Sequence, residues 1–249
     1  MEYLSYSRLS LLDTCGLRFF YEYVQGLEPE DEVPTYHASF GRLLHSLYEQ
    51  HAKMGGDCGY GELKEMYDRG FPGLVPEFGD RQLAVTFYKR GLEAIDRFSR
   101  YIVKDVVASE QEFLVAIAPE IPPIKGFIDR LLYTRDHGYM VADLKTGKAF
   151  RGRDPRKFRQ LAIYSLACEN LHGRAADSGY FDFVVHGERA WVDISALDRE
   201  QAAAWVRDKW QQILREDYKP RYSAGFCKSY CPFRSRCPEY ALHGVKGGA

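Results

Sequence analysis

Asp143 and Lys145 close an apolar run in "MVADLKTGK", Met140 to Lys148. In a β-strand, residues two apart share a face, so a carboxylate and an ammonium would stand side by side there while Leu144 packs behind them. In isolation the pair reads as an ordinary ion pair at a strand end. A second apolar run, "IKGFIDRLLYT", carries Asp129. If the two runs pair as adjacent strands, two carboxylates meet at one edge with the lysine beside them. Nearby carboxylates repel unless a divalent cation lies between them, and hard oxygen ligands suit Mg²⁺ or Mn²⁺. An ion held there would polarise a phosphodiester and lower the pKa of a bound water, with the lysine offsetting developing negative charge. The chemistry expected of this constellation is phosphodiester hydrolysis.

The elements that must position these residues follow from periodicity. A short helix is expected from Ser7 to about Cys15, a second over Gly41 to Lys53, and a long amphipathic helix from Asp80 to about Lys104. On the last, Leu83, Phe87, Leu92, Ile95 and Phe98 recur at helical spacing. The pattern then changes to three short apolar runs, "EQEFLVAIA", "IKGFIDRLLYT" and "GYMVADLKT", separated by turn signals, as in a meander of strands. A helix from about Asp154 to Leu171, strands "YFDFVVHG" and "AWVDIS", and a helix from about Asp198 to Arg215 complete the order. The fold class expected is α/β, a mixed central sheet flanked by helices, with a helical N-terminal part and a Cys-rich C-terminal tail.

Composition bounds the function classes. With 249 residues, 45% of them hydrophobic, the chain can bury a substantial core, which excludes a disordered or fibrous protein. Without an apolar run long enough to span a bilayer, and with a start, "MEYLSYSRLS", unlike a signal peptide, the expectation is a cytoplasmic protein with no membrane partner. The net charge of −1 does not itself favour nucleic acid. Basic residues are nevertheless gathered locally. Lys148, Arg151, Arg153, Arg156, Lys157 and Arg159 lie close together, opposed only by Asp154, directly after the strand that carries Asp143. Such a run is either a solvated helix face or a phosphate-binding one, and its position favours the second. The dipeptide Gly147-Lys148 is no P-loop, because Ala142 and Ala149 stand where that motif needs Gly and Ser or Thr.

Taken in order, "GRLLH" with His45, "GFIDR" with Asp129, "DLK" with Asp143 and Lys145, and "QLAIY" with Gln160 and Tyr164 resemble the RecB-like branch of the PD-(D/E)XK nucleases. The resemblance implies a restriction-endonuclease-like core and one nuclease domain over 1–249. Within it, 1–105 would be the helical part, 106–216 the core and 217–249 the Cys-rich tail. It further implies that Asp129 and Asp143 bind Mg²⁺ or Mn²⁺, that His45 adds a ligand, and that Lys145 assists the attacking water. Gln160 and Tyr164, four apart on one helix face, would support the site or the DNA. Leu132 stands where many relatives carry a second acidic residue. Read singly, His45 is an ordinary amphipathic-helix histidine, Gln160 with Tyr164 a polar pair at a core margin, and Glu112 a strand carboxylate that either approaches the site or is solvated.

The cysteines are a separate line. Cys227, Cys231 and Cys237 form C-x3-C-x5-C near the end, and Cys15 sits near the start. In a cytosolic chain four such thiols suggest a metal before disulfides, and zinc and iron–sulfur clusters both accept four thiolates. Some RecB-like nucleases look the same, which implies a [4Fe–4S] cluster stapling the chain ends, although the first gap here is three residues where two are usual. Cys58 and Cys168 read as a loop thiol and a helix-core residue.

The function this resemblance implies is a metal-dependent deoxyribonuclease, exonucleolytic on single-stranded DNA ends and similar to CRISPR-associated and phage relatives. Partners would then include recombination, repair or CRISPR adaptation proteins. The alternatives are a non-catalytic DNA-binding or assembly module that keeps the fold and cluster, and a zinc-stabilised interaction protein. Intact Asp129, Asp143 and Lys145 argue against the former.

Overall fold

A computed structural model describes residues 1–101, 103–149 and 155–243, the side chains of 155–157 excepted. Helices lead. These are α1 (Tyr6–Thr14), α2 (Gly16–Phe19), α3 (Tyr36–Lys53), α4 (Tyr60–Gly70) and α5 (Arg81–Phe98). Strands β1 (Val106–Val115), β2 (Ile124–Thr134) and β3 (Gly138–Lys145) follow, then α6 (Pro155–His172), β4 (Ser178–Phe183) and β5 (Glu188–Asp193). The chain closes with α7 (Ala196–Leu214), α8 (Ala224–Tyr230) and α9 (Pro238–His243). No helix among the described residues is long and apolar enough to cross a membrane.

The helix starts are built from local hydrogen bonds. The Asp80 carboxylate accepts from Leu83 N at 2.6 Å to begin α5. Ser195 and Asp198 cap α7 reciprocally, Asp198 N donating to Ser195 Oγ and Ser195 N to Asp198 Oδ2. Helix α4 was not expected from the polar stretch after Gly61. Its start is held by Gly59 N donating to Glu62 Oε2, and Leu63 and Tyr67, four apart, bury one stripe of an otherwise polar segment.

The chain divides into two compact units. The larger, Thr35–Val115 with Lys125–Ala202, holds a sheet in the order β1-β2-β3-β4-β5. Strands β2 and β3 are antiparallel across a short turn, whereas β3 and β4 are parallel. A parallel neighbour needs a crossover, and α6 supplies it. The mixed sheet flanked by helices is the architecture expected from the sequence. Leu144, Val184 and Val185 join Phe40, Leu44, Phe87 and Phe98 in a core with α3, α4 and α5. Helix α6 packs against the sheet through ring pairs such as Phe113–Tyr164, with centroids 5.9 Å apart.

The smaller unit joins segments far apart in sequence: Met1–Pro34, Ala116–Ile124 and Ala203–Ala249. Leu4 bridges to Ile124 and donates to Pro123 O at 2.9 Å. Trp205 and Lys209, one turn apart on α7, grip the two oxygens of Asp13 at 2.8 Å each. Further on, Glu30 N and Asp31 N both donate to Pro232 O, and Ser235 N donates to Asp31 Oδ2 at 2.9 Å.

Gly179 pairs with Val141 across the β3–β4 ladder, and a Cβ there would sit 2.5 Å from Val141 O. Backbone cannot yield as a flexible side chain can. Gly179→Ala is therefore expected to cost about 1–3 kcal/mol by overpacking, measured as a lower urea midpoint. An unchanged midpoint would mean that the ladder opens without strain.

Candidate metal centre

Arg130 faces Ala142 across β2 and β3, so the end of this ladder sets Asp129 next to Asp143. The contact is explicit. Leu144 N donates to Asp129 Oδ2 at 2.7 Å, tying one carboxylate to the strand that carries the other. Helix α3 brings His45, whose Nδ1 lies 3.5 Å from Asp129 Oδ2 and 3.7 Å from Glu110 Oε1. Among the described residues, His45, Glu110 and Asp129 are the set whose ligand atoms all lie within 4.8 Å of one another.

Glu110 is the residue that sequence reasoning missed. Glu112, singled out on the same strand, is exposed and pairs instead with Lys125 at 2.6 Å. The difference is conformational. Glu110 has φ of +50° in the middle of β1, a left-handed kink that turns its carboxylate toward His45. For a residue with a Cβ this conformation costs about 1–3 kcal/mol and persists only where surrounding contacts impose it. Ser109 Oγ, donating to Asp129 O at 3.0 Å, anchors the neighbouring position to β2.

Asp143 is held from α6. Gln160 Nε2 donates to Asp143 Oδ1 at 2.5 Å and to Tyr164 Oη at 3.0 Å, and Tyr164 Oη donates to the same Oδ1 at 3.2 Å. Burial, then the charges of Asp143 and Asp129, push the Tyr164 hydroxyl well above the usual phenol range, so it stays a donor. Lys145 Nζ donates to Gln160 Oε1 at 2.9 Å and lies 2.7 Å from Asp143 Oδ2, off the line of a hydrogen bond. Among the described residues that buried Oδ2 accepts no hydrogen bond and has the Lys145 charge as its partner. Asp129, Asp143, Lys145, His45, Gln160 and Tyr164 are thus gathered in one place, with Glu110 added.

The electrostatics fit a divalent cation. Burial, then the neighbouring Asp143 charge, raises the Asp129 carboxyl from 3.8 to about 7. Burial opposes charge on His45, but its hydrogen bond to Glu110 and the nearby carboxylates outweigh this and raise its pKa. Protons thus do part of the charge neutralisation that a hard cation would take over. One imidazole and several carboxylate oxygens are a donor set suited to Mg²⁺ or Mn²⁺. A cleft of about 760 Å³ opens onto the group, lined by Ala38, Gly41, Arg42, His45 and Ser46 of α3 together with Glu110, Phe127 and Thr146.

Of the basic run, Lys148 is exposed and Arg159 half-buried. Arg151, Arg153 and Asp154, and the side chains of Arg156 and Lys157, lie outside the described residues.

The four cysteines of interest all belong to the smaller unit. Cys15 ends α1, Cys227 lies in α8, Cys231 at its end and Cys237 directly before α9. Burial, and then the charges of Cys15 and Cys227, push the Cys231 thiol up, while Tyr21 feels both Cys237 and Cys15. Cys58 is fully buried in the helical core of the larger unit, and Cys168 is buried in α6 with Sγ against Arg174 O at 3.3 Å.

A carboxyl that titrates near 7 when folded and at 3.8 when unfolded contributes stability that is complete at low pH and lost as pH rises through 7. His45, raised likewise, acts in the same direction. The metal-free protein is expected to melt at a lower temperature at pH 8 than at pH 5, with Asp129→Asn flattening the dependence in calorimetry. Since a cation must displace the Asp129 proton, Mn²⁺ should raise the melting temperature more at pH 8 than at pH 6. A pH-independent Mn²⁺ effect would exclude Asp129 as a ligand.

The family described as the PD-(D/E)XK nuclease superfamily matches residues 3–238. A solved structure from Eubacterium rectale, described provisionally as an exonuclease, is similar at a TM-score of 0.53 and 15% identity, covering 86% of this chain and 81% of that one. The structure of SSO0001 is similar at a TM-score of 0.41 and 17% identity, covering 80% of this chain and 95% of that one. At such identities the first likeness is one of fold. No curated protein matches the sequence. With the match running almost end to end and the acidic strand pair in place, the chain belongs to the PD-(D/E)XK nuclease superfamily.

Proposed function

We propose that the protein is a divalent-metal-dependent deoxyribonuclease of the RecB-like branch that degrades single-stranded DNA from an end. The observation that carries the reading is the convergence of His45, Glu110 and Asp129 beside the Asp143–Lys145–Gln160–Tyr164 network. PD-(D/E)XK nucleases use divalent metals, and here His45, Glu110, Asp129 and Asp143 would hold the ion. When bound, it would polarise a phosphoryl oxygen and make a water more acidic.

The protein's own groups do the rest. Gln160 and Tyr164 hold Oδ1 of Asp143 and so fix its rotamer, while Oδ2 faces the Lys145 ammonium. Lys145, partly exposed, places a positive charge where negative charge grows on the attacking water and the phosphate. A non-catalytic module would have no use for buried, mutually repelling carboxylates, which cost stability. Action on ends is supported by the provisional description of the Eubacterium rectale structure.

For the chain ends we propose a [4Fe–4S] cluster on Cys15, Cys227, Cys231 and Cys237. What supports the reading is that Cys15 and the three C-terminal thiols, distant in sequence, lie in the same compact unit; zinc is the alternative that four thiolates would also accept.

The test is digestion of 5′- and 3′-labelled single- and double-stranded DNA with Mg²⁺ or Mn²⁺. Asp143→Asn and Lys145→Ala should each lower the rate by about 100-fold or more while DNA binding in EDTA stays near wild type. Cleavage at the wild-type rate by both would remove the assigned site. Cys15→Ser, prepared without oxygen, should lose iron and melt at a lower temperature, whereas Cys58→Ser and Cys168→Ser keep full metal content. Stoichiometric metal in Cys15→Ser would dismiss the chain-end cluster.

A further inference from the structure

Phe127 lies two residues before Asp129 on β2, and strand alternation puts both on one face, about 6.8 Å apart along the strand. From Ile128 through Leu132 the strand is buried, yet Phe127 is 46% exposed. An exposed phenylalanine by itself means little. This one, however, lines the cleft that opens onto His45 and Glu110. The opposite wall is the face of α3 formed by Ala38, Gly41, Arg42 and His45, spaced three to four residues apart. Ala38 and Gly41 on that wall are small, whereas His37, Arg42, His45 and Glu49 are not. Gly41 has no side chain, and a Cβ there would already touch Thr146 Oγ1 at 3.4 Å. The cleft therefore brings together an exposed aromatic ring, the small Ala38 and Gly41, and two of the metal-type ligands, His45 and Glu110.

We infer that Phe127 is a stacking platform for the base of the nucleotide next to the scissile phosphate, which makes the site selective for unpaired bases. This rests on the nuclease reading above and adds a substrate contact to it. The separation of Phe127 and Asp129 along the strand is about that between successive nucleotides of an extended strand. A phosphate at the carboxylates thus brings a neighbouring base over the ring. A base inside a duplex is stacked on both sides and reaches the ring only at the cost of unstacking, which an unpaired base avoids. Stacking on an aromatic ring is tolerant of base identity because every base has a π-face, so the subsite would recognise strandedness without reading sequence.

The probe is a single-stranded oligonucleotide and the same oligonucleotide with abasic sites, bound in EDTA and followed by fluorescence anisotropy. Phe127→Ala should weaken binding of the base-bearing strand by about 5- to 100-fold, with Phe127→Trp within about 2-fold of wild type. Both variants should bind the abasic strand as wild type does. Phe127→Leu separates stacking from simple burial, since it keeps apolar bulk without a π-face and should behave like Phe127→Ala. Equal binding of the base-bearing strand by wild type and Phe127→Ala, or an equal loss on both strands, would overturn the platform. Wild-type protein that cleaves DNA with Mn²⁺ while Phe127→Ala binds normally sinks the platform alone. Wild-type protein that neither binds nor cleaves DNA sinks the nuclease reading and the platform with it.

Discussion

The pairing of β2 with β3 is the constraint on which the rest depends. It brings Asp129 against Asp143, and the bond from Leu144 N to Asp129 Oδ2 locks that approach. Because side chains alternate, a slip of one residue would exchange Asp129 for Arg130 on the site face. Burial opposes the slip. The guanidinium of Arg130 is seated 3.4 Å from the Tyr48 ring centroid and donates to Tyr48 O at 3.0 Å, within the core side of the sheet. Leu144 does the same for β3, buried among the aromatics of α3 and α5. The apolar face thus holds the register that aligns the polar one.

Holding acidic groups together in a protein interior is unfavourable, and the surrounding structure offsets the cost in three ways. Helix α6 lends Asp143 two donors from residues one turn apart. Lys145 adds a charge of opposite sign on the same strand face. Asp129 responds by keeping its proton to higher pH, as burial beside another carboxylate requires. The left-handed Glu110 belongs to the same account, since local strain is retained where it aims a side chain at a site.

The smaller unit is organised differently. Its segments come from both ends of the chain and carry little continuous sheet, so specific polar contacts do much of the work. Asp13 is held by α7, and the backbone of Glu30 and Asp31 converges on Pro232.

Much of this was legible from residue order. The spacing of Leu83, Phe87, Ile95 and Phe98 makes α5 because a helix repeats near 3.6 residues. The apolar runs around Asp129 and Asp143 make adjacent strands because a short turn joins them. Asp129, Asp143 and Lys145 could be named because strand period and residue type place them together, and Gln160 and Tyr164 because their motif resembles that of the RecB-like nucleases. Tertiary structure alone decided the rest. Glu110 rather than Glu112 reaches His45 because one residue of β1 takes positive φ, which no side-chain pattern announces. Phe127 is exposed although its run reads as buried, because α3 leaves a cleft over that position. Residues 1–34 assemble into one compact unit with the chain end. Periodicity is local and so can be read along the chain; the meeting of distant segments is set by packing, which only the folded structure contains.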